Sequence, residues 1–179
     1  MMSKEQKKQL LKMAISCLRQ EGETRPIFSK ETPTKDELKM IKQGLIDGDI
    51  DEAIIEKFFP VAHRGVEKYG FFEHFFYHHN KEIMGLPRYA VDEKLVRWCT
   101  AHPGKVIEKT DSQWIVEIFK NGRITVDQNV YPGIKFEDEI KPGSYVIIHR
   151  GKIPIVLDKE KYEEAVSFYS KFLKEFQTK

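Results

Sequence analysis

Six histidines and two cysteines carry most of the chemistry open to this chain. All six histidines fall between His63 and His149, and Cys99 lies in the same stretch, whereas Cys17 lies outside it. His74 and His78 stand four apart in Phe71-Phe72-Glu73-His74-Phe75-Phe76-Tyr77-His78-His79-Asn80. On an α-helix that spacing stacks two imidazoles on one face, about 6 Å apart, which suits a single metal ion. Cys99 and His102 form a Cys-x-x-His pair, and a thiolate with imidazoles is a donor set for zinc or iron. His63, eleven residues before His74, falls on the same face if one helix is continuous through both. A plainer reading stands beside this one. Phe, Tyr and His at helical spacing also pack an amphipathic helix against a core, with ring nitrogens bonded to backbone or water. Cys17 reads as a small buried thiol.

Helices must position the first of these residues and strands the rest. Ser3 with Gln6, and Thr34 with Glu37, have capping-box spacing ahead of apolar residues at helical period. The first predicts a helix through Leu18 ending near Gly22. The second leads a helix through Leu38, Ile41 and Leu45, which Gly48 stops. Arg25 to Pro33 reads as a loop. A third helix runs from about Asp51 to Phe59. Pro60 then kinks it or opens a new one, and a helical, aromatic-rich pattern continues from Val61 to about Ile83. Phe71, Phe72, Phe75, Phe76 and Tyr77 cover too wide an arc of that helix to face one partner. Gly85 and Pro87 break it, and a short helix from Asp92 to Trp98 leads to Cys99.

After Pro103-Gly104 the pattern becomes β. Strands are expected at Gly104–Lys109, Trp114–Phe119, Arg123–Asp127, Tyr145–His149 and Ile153–Leu157. Asn121-Gly122 signals a type I′ hairpin, and Tyr131-Pro132-Gly133 lies in a polar loop. Asp158 can cap a last helix whose apolar face holds Tyr162, Ala165, Val166, Tyr169, Phe172, Leu173 and Phe176. The predicted class is α+β: a helical domain over 1–97, then a small OB-like β-barrel with a C-terminal helix over 98–179.

Composition narrows the function classes. The chain has 179 residues, 40% hydrophobic and 12% aromatic, too apolar for a disordered protein. It has no long uncharged apolar run, which argues against a membrane span. Its start has no apolar signal region, and its two cysteines are too few for a disulfide framework, so a cytoplasmic protein is expected. A net charge of +2 argues against nucleic acid. No phosphate-binding glycine loop, dinucleotide fingerprint, Gly-x-Ser-x-Gly or His-Glu-x-x-His occurs.

Two further motifs carry a resemblance. Cys99-Thr100-Ala101-His102-Pro103-Gly104-Lys105-Val106 resembles the opening Cys-x-x-x-Pro-x-x-Val motif of the hydrogenase-assembly chaperones of the HypC/HupF type. Lys141-Pro142-Gly143-Ser144-Tyr145-Val146-Ile147-Ile148-His149-Arg150-Gly151 resembles their Gly-Asp-Tyr-Val-x-x-His-x-Gly motif, with Ser144 in place of the usual Asp. The likeness spans about residues 99–175, the C-terminal half only. It implies a small β-barrel with a helix, and a non-enzymatic carrier that receives an iron–cyanide–carbonyl unit from a partner and docks on a hydrogenase large subunit. Cys99 matches the family's essential cysteine and His149 its histidine. The family's cysteine is a chain end, whereas Cys99 is internal, so ligation through its α-amino group is impossible.

These strands combine into one expectation. The chain is read as an assembly or binding protein for a metal centre or metalloprotein, with a protein partner, a metalloenzyme or maturation factor. Iron or zinc is expected at Cys99, His102, His149, His74 and His78. An OB-like nucleic-acid-binding module and a metal-dependent enzyme are the alternatives.

Overall fold

The computed structural model describes residues 2–18, 31–85, 98–111, 113–127 and 140–176. The expected helix at Asp92–Trp98 up to residue 97, most of the loop from Arg25, and the loop at Tyr131-Pro132-Gly133 lie outside these residues. The chain divides into two compact units, Met1–Phe71 and Phe72–Lys179. The sequence pattern put its break at residue 98, where helix gives way to strand. The division by packing falls earlier and assigns the histidine-rich helical run to the same unit as the strands.

The N-terminal unit is helical. Helix α1 (Lys4–Ala14) starts at the Ser3–Gln6 capping box, with both reciprocal bonds formed. It tightens into a 3-10 turn at Ile15–Cys17, and Leu18 is extended, so the helix ends short of Gly22. Helix α2 (Lys35–Asp47) starts at the Thr34–Glu37 box, and Gly48 closes it in the left-handed conformation with φ 74°. A side chain there is excluded, because a Cβ would stand 2.1 Å from the Lys4 carbonyl oxygen. Helix α3 (Glu52–Phe58) is capped by Asp51. Helix α4 (Pro60–Tyr69) opens on Pro60, whose missing N–H costs nothing in a first turn. Gly70, at φ 79° and ψ 167°, ends it. The helix is therefore not continuous from His63 to His74, and the same-face condition fails.

The second unit begins with a helical run in three parts: α5 (Phe71–Glu73, its first residue closing the N-terminal unit), a π-helical segment (His74–His79) and α6 (Asn80–Gly85). Strands β1 (His102–Lys109), β2 (Trp114–Ile118), β3 (Gly122–Val126), β4 (Tyr145–His149) and β5 (Lys152–Leu157) form an antiparallel sheet in the order β3-β2-β1-β4-β5. The two edge strands touch at one parallel bridge, Asp127 with Lys152, which an ion pair of 2.7 Å reinforces. Helix α7 (Lys159–Phe176) follows Asp158, whose carboxylate accepts from the Lys161 amide. The fold is thus mixed helix and sheet, and no helix among the described residues is long and apolar enough to cross a membrane.

The strands appear where alternation placed them, but the β2–β3 turn differs. Ile118 pairs with Gly122, and the left-handed residues are Lys120 and Gly122 rather than Asn121 and Gly122. Asn121 instead donates its side-chain amide to the Tyr169 hydroxyl.

One sheet face buries Val106, Trp114, Val116, Ile118, Val126, Val146, Ile148 and Ile153. Gly104 lies beneath this cluster at the crossing of β1 with β2 and β4. A Cβ there would stand 2.7 Å from both Ile148 Cδ1 and Val116 Cγ1, and both are short branches of fully packed side chains. Gly104→Ala is expected to destabilise the unit by about 1–3 kcal/mol through overpacking, read as a lowered urea midpoint with an unchanged m-value.

Candidate functional site

The segment Cys99-Thr100-Ala101, just before β1, is the point on which the sequence-predicted residues converge. Trp98 and Cys99 are helical in conformation. Cys99 is 3% exposed and Ala101 0%, so the segment's backbone polar groups need partners within the protein. Side chains supply them. The Cys99 carbonyl oxygen accepts from Nε2 of His79 and from Nε2 of His149, each at 3.2 Å. The Asn80 side chain grips Ala101 as a strand would, donating to its carbonyl at 2.8 Å and accepting from its amide at 2.7 Å. Asn80 is fully buried and also donates to the Phe76 carbonyl.

Each ring arrives by a local irregularity. The helical run winds as a π-helix from His74 to His79. A π-turn holds nearly one more residue than an α-turn, so residues five apart share a face. His74 therefore lies beside His79, ring centroids 6.2 Å apart, rather than beside His78. His78 is not in the cluster: it pairs with Glu73 at 3.6 Å and meets the Tyr77 ring edge-on. His149 is aimed by a β-bulge. The β4–β5 register shifts between Ile147 and His149, and Val146 through His149 are all buried. A bulge re-aims a side chain in this way, and it leaves the His149 ring 5.5 Å from that of His79, edge to face.

His102 anchors the other side of the segment. Its Nδ1 lies 2.7 Å from the Tyr169 hydroxyl and its Nε2 2.8 Å from Thr100 Oγ1. Asn121 donates to the same hydroxyl at 2.6 Å. One consistent direction runs through the chain of bonds: Asn121 donates to Tyr169, Tyr169 to His102 Nδ1, and His102 Nε2–H to Thr100. The β2–β3 turn and helix α7 are thereby tied to the motif. Trp98 closes the edge of the site. Its carbonyl accepts from the Arg150 amide at 2.8 Å, and its ring covers Gly151, where a Cβ would stand 2.6 Å from the indole.

Electrostatics keep two of these rings neutral. Burial lowers the His74 pKa to about 3, aided by its neighbours His79 and His78. Burial also lowers that of His79 to about 4, against the bond to the Cys99 carbonyl, which favours the charged ring. A carbonyl only accepts, so His79 carries its proton on Nε2. His74 Nε2 is buried without a hydrogen-bond partner among the described residues.

Cys99, His149 and His102 thus meet around one segment, with His74 behind His79. Their ligand atoms do not form the tightest donor cluster. The group whose His and carboxylate ligand atoms lie within 4.8 Å of one another, among the described residues, is Glu52, His63 and Glu67 in the N-terminal unit. The sequence reading missed His79, Asn80, Thr100, Asn121 and Tyr169. A signal for His79 was present, since an aromatic run too wide for one α-helical face is what π-winding accommodates. No protein-family profile matches the chain, and no curated protein matches it.

Two outcomes follow from this network. Asn80→Ala leaves the buried amide and carbonyl of Ala101 unpaired, and a loss of about 2–4 kcal/mol is expected in urea unfolding, with faster hydrogen exchange at the Ala101 amide. Stability should also fall with acid. The folded-state pKa values of His74 and His79 lie below the ordinary 6.5, so the unfolded chain binds more protons between about pH 6.5 and about pH 4. These rings contribute no slope above about pH 7, and on the order of 1–2 kcal/mol each is lost from about pH 7 to about pH 5. His74→Phe should flatten that slope in pH-dependent denaturation.

Proposed function

We propose that the Phe72–Lys179 unit is a binding and assembly module of the HypC/HupF kind. It handles a metal centre of iron or zinc, or docks on the metalloprotein that receives one, in the cytoplasm. The observation that carries this reading is the joining of the two motifs. His149 of the second motif donates to the carbonyl of Cys99, the residue that opens the first.

The sheet supports the reading. Its order, with the parallel bridge between the edge strands, is compatible with a small partly open Greek-key barrel of the OB type. Donor chemistry supports it as well. A cysteine thiolate and neutral imidazoles are soft and borderline donors suited to iron and zinc. His74 and His79 are held in the neutral form that ligates. Cargo metal would bind here through Cys99 Sγ and ring nitrogens, in exchange for the two Nε2–carbonyl bonds. The internal position of Cys99 makes the thiol the only donor that residue can offer besides its carbonyl.

Cobalt(II) is a spectroscopic substitute for either metal. Added to the untagged full chain, it is expected to give a thiolate-to-cobalt charge-transfer band that is lost in Cys99→Ser and weakened in His149→Gln. Saturating cobalt with no thiolate band overturns metal handling at Cys99.

A further inference from the structure

We infer that Glu52, His63 and Glu67 in the N-terminal unit form a binding site for one divalent transition-metal ion. The site uses none of the residues around Cys99 and stands apart from the function proposed for them.

Helix geometry assembles it. Asp51 caps α3 through the Ala53 amide, which places Glu52 at the first helical position. Phe59 breaks the backbone and Pro60 restarts it. Helix α4 then brings His63 and Glu67, four apart, onto one face. One ligand atom from each of the three residues lies within 4.8 Å of the other two. Ligands bonded to a single ion at about 2.0–2.2 Å stand roughly 3.3–4.4 Å apart. The observed spacing closes onto an ion by side-chain shifts of under about an ångström.

The second observation is His63 itself. It is 7% exposed, and neither ring nitrogen has a hydrogen-bond partner among the described residues. Buried ring nitrogens are normally paired, and each one left bare costs free energy. Glu67 Oε2 is 4.0 Å from Nδ1, beyond hydrogen-bond range. An imidazole is thus buried beside two carboxylates and bonded to neither. A cation held there would take the lone pair of the unpartnered ring.

The donor set selects the class of ion. One nitrogen and two carboxylates suit Zn2+, Mn2+ or Fe2+, whereas Ca2+ and Mg2+ take oxygen ligands. Glu52 is already oriented: its Oε1 accepts from the Met2 amide at 2.6 Å. Lys7 Nζ lies 3.7 Å from the same oxygen but donates to the Ile50 carbonyl at 3.0 Å. The Glu67 side chain is 40% exposed and gives a route of entry. Three protein ligands leave a coordination position for water.

The test is a Zn2+ titration of the untagged full chain against a chromophoric chelator, in a Cys99→Ser background that removes the thiol. One equivalent of Zn2+ is expected to bind. Glu67→Gln should weaken it at least about tenfold, and His63→Gln with Glu67→Gln should abolish it. Zn2+ should raise the Tm of the Cys99→Ser protein but not of its Glu67→Gln derivative. Glu67 is half-exposed and its change nearly isosteric, so this variant decides the matter even if substitution at buried His63 disturbs folding. Absence of Zn2+ binding in the Cys99→Ser background, or equal affinity in the Glu67→Gln derivative, overturns the site. Failure at Cys99 is read separately, from the cobalt thiolate band.

Discussion

The second unit is organised around a backbone that has no sheet partner of its own. Between Trp98 and the start of β1, Cys99 and Ala101 are buried and their peptide groups cannot reach water. Leaving such groups unpaired is costly in free energy. Two imidazoles and one carboxamide supply the bonds. The irregular elements nearby follow from that requirement. The π-winding brings His79 and Asn80 to the segment, the bulge in β4 brings His149, and Gly104 lets β1 run on into a crowded crossing.

Burial holds one ring of the clamp, His79, in its neutral form. Neutral His79 donates from Nε2, and protonation would place a charge where burial disfavours it. The bond to the Cys99 carbonyl pulls the other way, and burial outweighs it. The chain from Asn121 through Tyr169 and His102 to Thr100 extends the same logic to the β2–β3 turn and to α7. At the far end of α7, Glu175 is bonded by the Tyr77 hydroxyl and pairs with Lys81 at 3.0 Å. The histidine-bearing helical run is thus fixed from both ends of the unit's own structure.

Most elements were legible in the sequence because their signals are local. Ser3 with Gln6, Thr34 with Glu37, and Asp158 are caps whose chemistry is complete within four residues. Strand alternation likewise found β1 to β5 to within a residue or two. What the sequence could not reveal depends on non-local bonds. Asn121 looks like a turn residue and is one, yet its side chain is spent on Tyr169, forty-eight positions away. An α-helical period places His78 beside His74, and only the wider π-turn puts His79 there instead. Cys99 and His149 were legible as residues of interest, but not the fact that they meet through a carbonyl oxygen. The grouping of His63 with Glu52 was hidden because it depends on how two short helices are hinged at Phe59.

The placing of Trp98 has an optical consequence. The chain has two tryptophans, and they differ sharply: Trp114 is 6% exposed within the sheet core, whereas Trp98 is 48% exposed. Trp98 lies over Gly151, is bonded at its carbonyl to Arg150, and directly precedes Cys99. Its emission is set at the solvent boundary and should be red-shifted from that of Trp114. Imidazolium groups and bound transition ions quench indole fluorescence, and they would do so here within a residue or two of the emitter. The long-wavelength part of the spectrum therefore belongs to the clamp and the short-wavelength part to the sheet core, so one unlabelled sample distinguishes an event at Cys99 from unfolding of the sheet.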